Sequence, residues 1–265
     1  MCVLAVIGPE IAPKDPNRAT LIARLMAPFT EDEDGNIEFI LGTDGLGRDV
    51  LSRLIYGARV SVSVGFVAVV IGGLIGTMLG LIGGYTGGIV DDVIMRLADI
   101  QLAFPFILLA IMVLVVLGAG VVNLILVLGI GQWVTYARIA RGETIAQRSK
   151  EYVEAARSIG TGHWRIMLHE ILPNILAPLI VIASFNVASV ILAEAALSFL
   201  GLGVPPDVPT WGRMLADSRD TLLAEKWWLA FYPGLAIMVT VLSLNILGDW
   251  LRDFLDPRLR SGDGA

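Results

Sequence analysis

The chain has 265 residues, 55% hydrophobic and only 17% charged, with a mean hydropathy of +0.75 and recurring apolar runs of about twenty residues. That pattern fits a polytopic helical membrane protein, and a soluble core of this length has no need of such runs. The net charge of −6 argues against nucleic acid as a partner, and the single cysteine, Cys2, allows neither an intrachain disulfide nor a cysteine metal cluster.

Residues 1–11 (MCVLAVIGPEI) form an apolar run broken by Gly8-Pro9-Glu10. A bilayer crossing takes about twenty residues, so this run reads as a partial first transmembrane segment. Met1-Cys2 lacks the apolar stretch of a processed leader, which argues against cleavage there. Residues 12–59 are polar, with Pro13, Pro16, Pro28 and the acidic cluster Glu31-Asp32-Glu33-Asp34. They predict an extramembrane segment with a short amphipathic helix at 21–26. Asp49 and Arg53, acid four residues before base, have the favourable order for a pair on one helix face.

The first complete span is predicted at 60–84. Glycines at 72, 76, 80, 84 and 88 repeat every four residues, leaving one helix face almost without side chains. Gly72, Gly76, Gly80 and Gly84 are therefore helix-packing candidates, with a direct substrate role as the alternative. A polar turn at 85–99 carries Asp91, Asp92, Arg96 and Asp99. The second span, 100–117, contains Pro105, which predicts a kink or a first helical turn. Gly118-Ala119-Gly120 leads straight into a third span at 121–139, so the two form an antiparallel hairpin.

Residues 151–173 are the longest polar interruption after residue 60. The fourth span, 175–197, has Pro178 near its start and Ser184, Asn186, Ser189 and Glu194 along it. These four are candidates for a translocation path. For the two serines and the asparagine, hydrogen bonding between helices is the simpler reading. Glu194 is an ionisable group at membrane depth and so a functional candidate, but a place at the membrane interface or a pairing with Arg213 is the reading we favour. Residues 198–226 leave the membrane core again, with a short helix around 211–215. The fifth span, 227–247, opens with Trp227-Trp228, which suits an interfacial anchor, and a polar tail follows. His163 and His169 have no carboxylate or cysteine set at ligand spacing, which argues against a metal site.

Placing 140–173 inside puts ten basic residues in the cytoplasm against nine outside, and six of those nine belong to the long 12–59 segment. Long segments count for less in orientation, so the charges permit this topology without dictating it.

Within 151–173 (EYVEAARSIGTGHWRIMLHEILP), Glu154-Ala155-Ala156 is followed by Gly160 and then by Leu172-Pro173. The rhythm predicts a short helix, a glycine break, a second helix and a proline stop. The chain contains no GxxxxGK[ST] loop, and none of Lys14, Lys150 and Lys226 follows a glycine, so a phosphate-cradling loop of that type is absent from the sequence. Any ATP-derived energy has to arrive through a partner.

These residues resemble the permease subunits of ATP-binding-cassette importers, which share a loop of the form EAA, three residues, Gly, nine residues, Ile, one residue, Leu-Pro. Position 170 carries Glu170 where that pattern has an apolar residue, with Ile171 beside it. LGTDGLGRDVLSRLIYGARVS (41–61), DIQLAFPFILLA (99–110), LPNILAPLIV (172–181), AEAALSFLGLG (193–203) and LGDWLRDFLDPRLR (247–260) resemble the C-type subunit of the dipeptide, oligopeptide and nickel branch. The resemblance implies an all-α transmembrane domain of the type I importer kind, with five complete spans and a partial N-terminal one. It implies a domain over 60–254, a cytoplasmic coupling loop at 140–173, an extracytoplasmic loop at 198–226 and a cytoplasmic tail at 255–265.

It further implies a multi-pass protein of the bacterial inner membrane. Its expected partners are a homologous second permease, ATPase subunits that use ATP and magnesium, an extracytoplasmic peptide-binding protein and the lipid bilayer. No cofactor is expected on this chain, and the chain itself is not expected to be an enzyme. Glu154, Ala155, Ala156, Gly160, Leu172 and Pro173 are carried over as the ATPase-coupling residues. The cargo is expected to be a di- or oligopeptide, with nickel or haem as alternatives. An ion-coupled secondary transporter would call for paired intramembrane charges and internal repeats, and a channel for a filter motif; neither is visible in the sequence.

Overall fold

The computed structural model describes residues 2–31, 37–222 and 225–255. Most of the acidic cluster (32–34) and nearly all of the expected cytoplasmic tail (256–265) lie outside the described residues. The helices are α1 (Cys2–Ile11), α2 (Val50–Thr86), α3 (Gly88–Leu102), α4 (Phe106–Leu117), α5 (Val121–Arg148), α6 (Glu151–Ser158), α7 (His163–Arg165), α8 (Leu172–Phe199), α9 (Trp211–Leu222) and α10 (Trp228–Leu255). A six-residue π-helical stretch, Ile166–Ile171, joins α7 to α8. One departure from an all-α chain is a small antiparallel hairpin, β1 (Thr30–Glu31) with β2 (Ile37–Phe39), pairing Thr30 with Phe39.

Among the described residues, four helical stretches are long and apolar enough to cross a membrane: α2, α5, the run His163–Phe199 and α10. The expected second span is broken. α3 and α4 meet at 86° where Pro105, lacking an N–H, starts a new helix. Five crossings are reached only if this bent pair counts as one. The expected polar turn at 85–99 is largely helix α3. There Asp91 and Asp99 are paired to α5, so polar residues that suggested a loop belong to a helical face.

The chain divides into two compact units. The first comprises Met1–Phe66, Ile111–Ile125 and Ala188–Ser243. Its core gathers Val50, Ala58, Ala195, Trp211, Trp228 and Ile237. Trp211 anchors α9, its indole N–H donating to the Leu54 carbonyl at 3.0 Å and its ring lying against Gly57. The helix expected around 211–215 thereby extends to Leu222. The helix expected at 21–26 shrinks to a 3-10 turn, Leu21–Ala23, because Leu25 and Phe29 take positive φ angles of 55° and 59°.

Asp49 and Arg53 do not pair as expected. Asp49 caps α2 instead, its carboxylate accepting from the Ser52 N–H at 2.8 Å and hydroxyl at 2.6 Å, since the first N–H groups of a helix have no other partner. Arg53 turns to Asp44 and Asp217, each 3.6 Å away, and Arg48 joins the same two carboxylates at 2.7 and 3.3 Å.

The second unit comprises Val67–Ala110, Leu126–Val187 and Leu244–Ala265. Its organising contact is between α2 and α5. A side chain on Gly72, Gly76, Gly80 or Gly84 would strike, in turn, the carbonyls of Gly129, Trp133, Ala137 and Arg141. Both series advance by four residues in the same direction, so the helices run parallel with backbones in contact. Side chains as small as hydrogen are what let the two backbones approach so closely. Gly88, the fifth in the sequence repeat, falls beyond the break at Gly87 and has open space around it.

Candidate coupling site

α5 ends at Arg148, and α6 follows after two residues. Helix α6 packs against the π-helical stretch Ile166–Ile171; its Val153 and Ala156 are buried, while Glu154, Ala155, Arg157 and Ser158 are exposed. The pattern follows from one buried stripe on a short helix. The two alanines carried over as coupling residues are therefore split. Ala155 faces outward, and Ala156 holds the helix down. Tyr152 ties α6 back to α5, its hydroxyl donating to Gln147 Oε1 at 2.9 Å. Burial raises the Tyr152 pKa above its ordinary value, and the Glu170 carboxylate adds to that shift.

Gly160 ends α6 with φ +79°. Its N–H reaches the Arg157 carbonyl at 2.9 Å, and the Thr161 N–H reaches that of Ala156 at 3.0 Å. The two bonds together make a complete Schellman cap, which requires the left-handed conformation that glycine adopts without strain. On either side of this turn Ile159 and Trp164 are 82% and 59% exposed.

Pro173 does not stop the second helix. It lies in the first turn of α8, and the helical path from His163 continues through it to Phe199. The π-helical stretch immediately before it changes the hydrogen-bond register where the proline has no N–H to give. The Asn174 amide adds a bond to the Glu170 carbonyl at 2.6 Å. Leu172 is half-buried and Pro173 exposed.

Sequence reasoning missed the residues that tie this segment to α2. Arg148 Nη1 donates to the Tyr85 carbonyl at 2.9 Å, and the Tyr85 hydroxyl is 3.0 Å from His163 Nδ1. A basic residue in the last turn of α5 was the available signal for the first contact. For Tyr85 there was none beyond an aromatic residue set between glycine pairs.

The four candidate path residues fall into different surroundings. Ser184 Oγ donates to the Val181 carbonyl at 2.6 Å and lies against Gly248, a packing arrangement. Asn186 is half-buried and Ser189 exposed. Glu194 is fully buried and does not pair with Arg213. Ser198 Oγ donates to its Oε1 at 2.7 Å and Ser61 Oγ to its Oε2 at 3.3 Å, with Thr210 as a further hydrogen-bonding neighbour. Arg213 is taken by Asp217, one turn on in α9, at 2.9 Å.

Long apolar helices and a backbone-to-backbone glycine contact fit a membrane-embedded protein. The chain belongs to the family of binding-protein-dependent transport system inner membrane components, whose signature covers residues 76–261. It is a multi-pass component of the bacterial inner membrane and a permease subunit of the ATP-binding-cassette class. It is 44% identical over 257 residues to the di/tripeptide transport system permease protein DppC of Pseudomonas aeruginosa (strain UCBPP-PA14), covering 97% of this chain and 84% of that one. It is 43% identical over 221 residues to the glutathione transport system permease protein GsiD of Pectobacterium atrosepticum, covering 83% and 73%. Among solved structures, an inward-facing form of the MetNI methionine ABC transporter matches with a TM-score of 0.62 at 18% identity, over 77% of this chain and 96% of that one. That likeness bears on the fold.

Proposed function

We propose that this chain is one of two transmembrane subunits of an ATP-driven importer for di- and oligopeptides, receiving cargo from an extracytoplasmic binding protein and force from partner ATPases. The observation that carries this is α6. Glu154 and Ala155 project from a helix fixed on its other side by Val153 and Ala156 and capped at Gly160, in the register of the importer EAA loop. Glu154 offers a charge-assisted contact to a basic residue of the ATPase, and Ala155 a surface small enough to enter a groove. The helical path continuing through Pro173 into α8 lets a displacement at the docked end pass into the membrane as a rigid-body movement.

In this reading the 140–173 segment faces the cytoplasm, and ATP and magnesium are bound by the partners. ATP binding draws the two coupling segments together and opens the permeases outward, and hydrolysis resets them. α4 alone covers only about 18 Å of a hydrocarbon core about 30 Å thick, so α3 and α4 act together as a broken fifth crossing. A peptide cargo is supported by relatives named for di/tripeptide and glutathione transport, glutathione being itself a tripeptide.

The test is reconstitution of the chain with its partner permease, ATPases and binding protein in liposomes, following ATP hydrolysis and dipeptide uptake together. Glu154→Lys should abolish most uptake per ATP while the subunit still inserts. Unchanged uptake per ATP would remove Glu154 from the joint, and full uptake by the chain without any ATPase would overturn the function.

A further inference from the structure

Tyr85 stands in the last turn of α2, 6% exposed, and three elements of the coupling site converge on it. Arg148, at the end of α5, donates to its carbonyl at 2.9 Å and lies 3.4 Å from that of Gly84. The last carbonyls of a helix have no intrahelical partner, and a cation is the group that suits them. The Arg157 guanidinium, from α6, sits over the Tyr85 ring at 5.1 Å from its centroid, within the range of a cation–π contact. Beyond the Gly160 turn, His163 Nδ1 is 3.0 Å from the hydroxyl, and the two rings meet edge to face with centroids 5.7 Å apart.

The other bonds of α6 lead elsewhere. Tyr152 joins it to α5, and the helix also packs against the π-helical stretch that leads into α8. Tyr85 is the point at which both sides of the Gly160 turn grip α2. That half of α2 lies backbone to backbone against α5 along Gly72, Gly76, Gly80 and Gly84. Backbone meets backbone at each of these four positions, so a displacement entering at Tyr85 is carried along the helix.

We propose that Tyr85 is a positioning residue that delivers the movement of the docked helix α6 to the glycine-lined part of α2, with Arg157 holding its ring and His163 its hydroxyl. The proposal rests on the coupling role of 151–173 argued above. If Tyr85 were only a packing residue, its hydroxyl would be dispensable, because phenylalanine fills nearly the same volume. If it transmits movement, the hydroxyl and the imidazole form one link, and losing either breaks it.

The experiment uses the complete importer in liposomes, comparing Tyr85→Phe, His163→Ala, the double variant and Glu154→Lys. Uptake per ATP hydrolysed should fall about two- to tenfold in each of the first two, the scale of one hydrogen bond. The double variant should be no worse than the poorer single variant, and co-purification of the ATPases should be unaltered. His163 is exposed, so its replacement leaves the core intact even if Tyr85→Phe disturbs folding. Normal uptake per ATP in His163→Ala overturns the proposal, as does multiplication of the two losses in the double variant. If Glu154→Lys uncouples while Tyr85→Phe and His163→Ala do not, the docking role stands and the Tyr85 link falls. If Glu154→Lys is also without effect, the coupling segment falls and the proposal with it.

Discussion

Arg141 on α5 donates two parallel hydrogen bonds to Asp91 on α3, Nε to Oδ1 and Nη2 to Oδ2, both at 2.5 Å. Its backbone carbonyl lies against Gly84, so a single position joins α5 to both α2 and α3. Arg141→Lys keeps the charge and loses the fork. Asp91 is 11% exposed and Arg141 35%, so solvent screening reduces the cost below that of a sealed pair. The expected loss is about 1–2 kcal/mol. Arg138→Lys, at the well-exposed pair with Asp99, should cost less than about 0.5 kcal/mol. Thermal melts of the two purified variants in detergent compare them directly, and equal losses would show that the fork is not the stronger tie.

Adjacent glycines on α2 give a sharper contrast. A Cβ at Gly76 would strike the Trp133 carbonyl and come within 2.7 Å of the Tyr136 Cβ, whereas one at Gly73 would meet the Tyr136 ring at an ordinary 3.6 Å. Gly76→Ala should therefore force α2 and α5 apart and cost about 1–3 kcal/mol of stability, seen as a clearly lower melting point. Gly73→Ala should be neutral or slightly stabilising, since alanine favours helix. Equal tolerance at the two positions would mean that the backbone contact is not what holds the pair.

How far these features could be read from sequence depended on how many of their causes were local. The glycine repeat on α2 and the Gly160 turn rest on spacing and on a backbone angle only glycine accepts easily, and both were legible. The extent of α9 was not, because it depends on Trp211 meeting Gly57 from a distant part of the chain. Pro173 looked like a stop, and its place in the first turn of a continuing helix depends on a π-helical register that no residue type announces. Asp49 and Arg53 satisfied a helix-pairing rule. The unpaired N–H groups at the start of α2 and the carboxylates of Asp44 and Asp217 offered each of them a better partner.

The split between Ala155 and Ala156 can be measured by thiol labelling. In a background where Cys2, the single native cysteine, is replaced by serine, Ala155→Cys should react rapidly with a polar maleimide in the isolated subunit. Assembly with the ATPases should protect it. Ala156→Cys should react at least tenfold more slowly in both states, because that position is buried. Equal labelling at the two positions would place the buried stripe of α6 elsewhere, and an Ala155→Cys that stays reactive in the assembled complex would count against docking on this face.

Glu194 separates a structural knot from a transport residue. Its two oxygens accept from Ser198 and Ser61, and the Ser61 hydroxyl in turn accepts the Trp211 N–H at 3.3 Å. One side chain thereby links α8 to α2 and, through Ser61, to the start of α9. Glu194→Gln keeps the shape and an acceptor oxygen and should lose no more than about 1 kcal/mol. Glu194→Ala removes the acceptors from two buried hydroxyls and leaves a void, so about 2–4 kcal/mol is expected. Uptake by the assembled importer should track these stability losses. If Glu194→Gln melts normally yet transports no peptide, ionisation of this group is part of the cycle, and Glu194 returns to the translocation path.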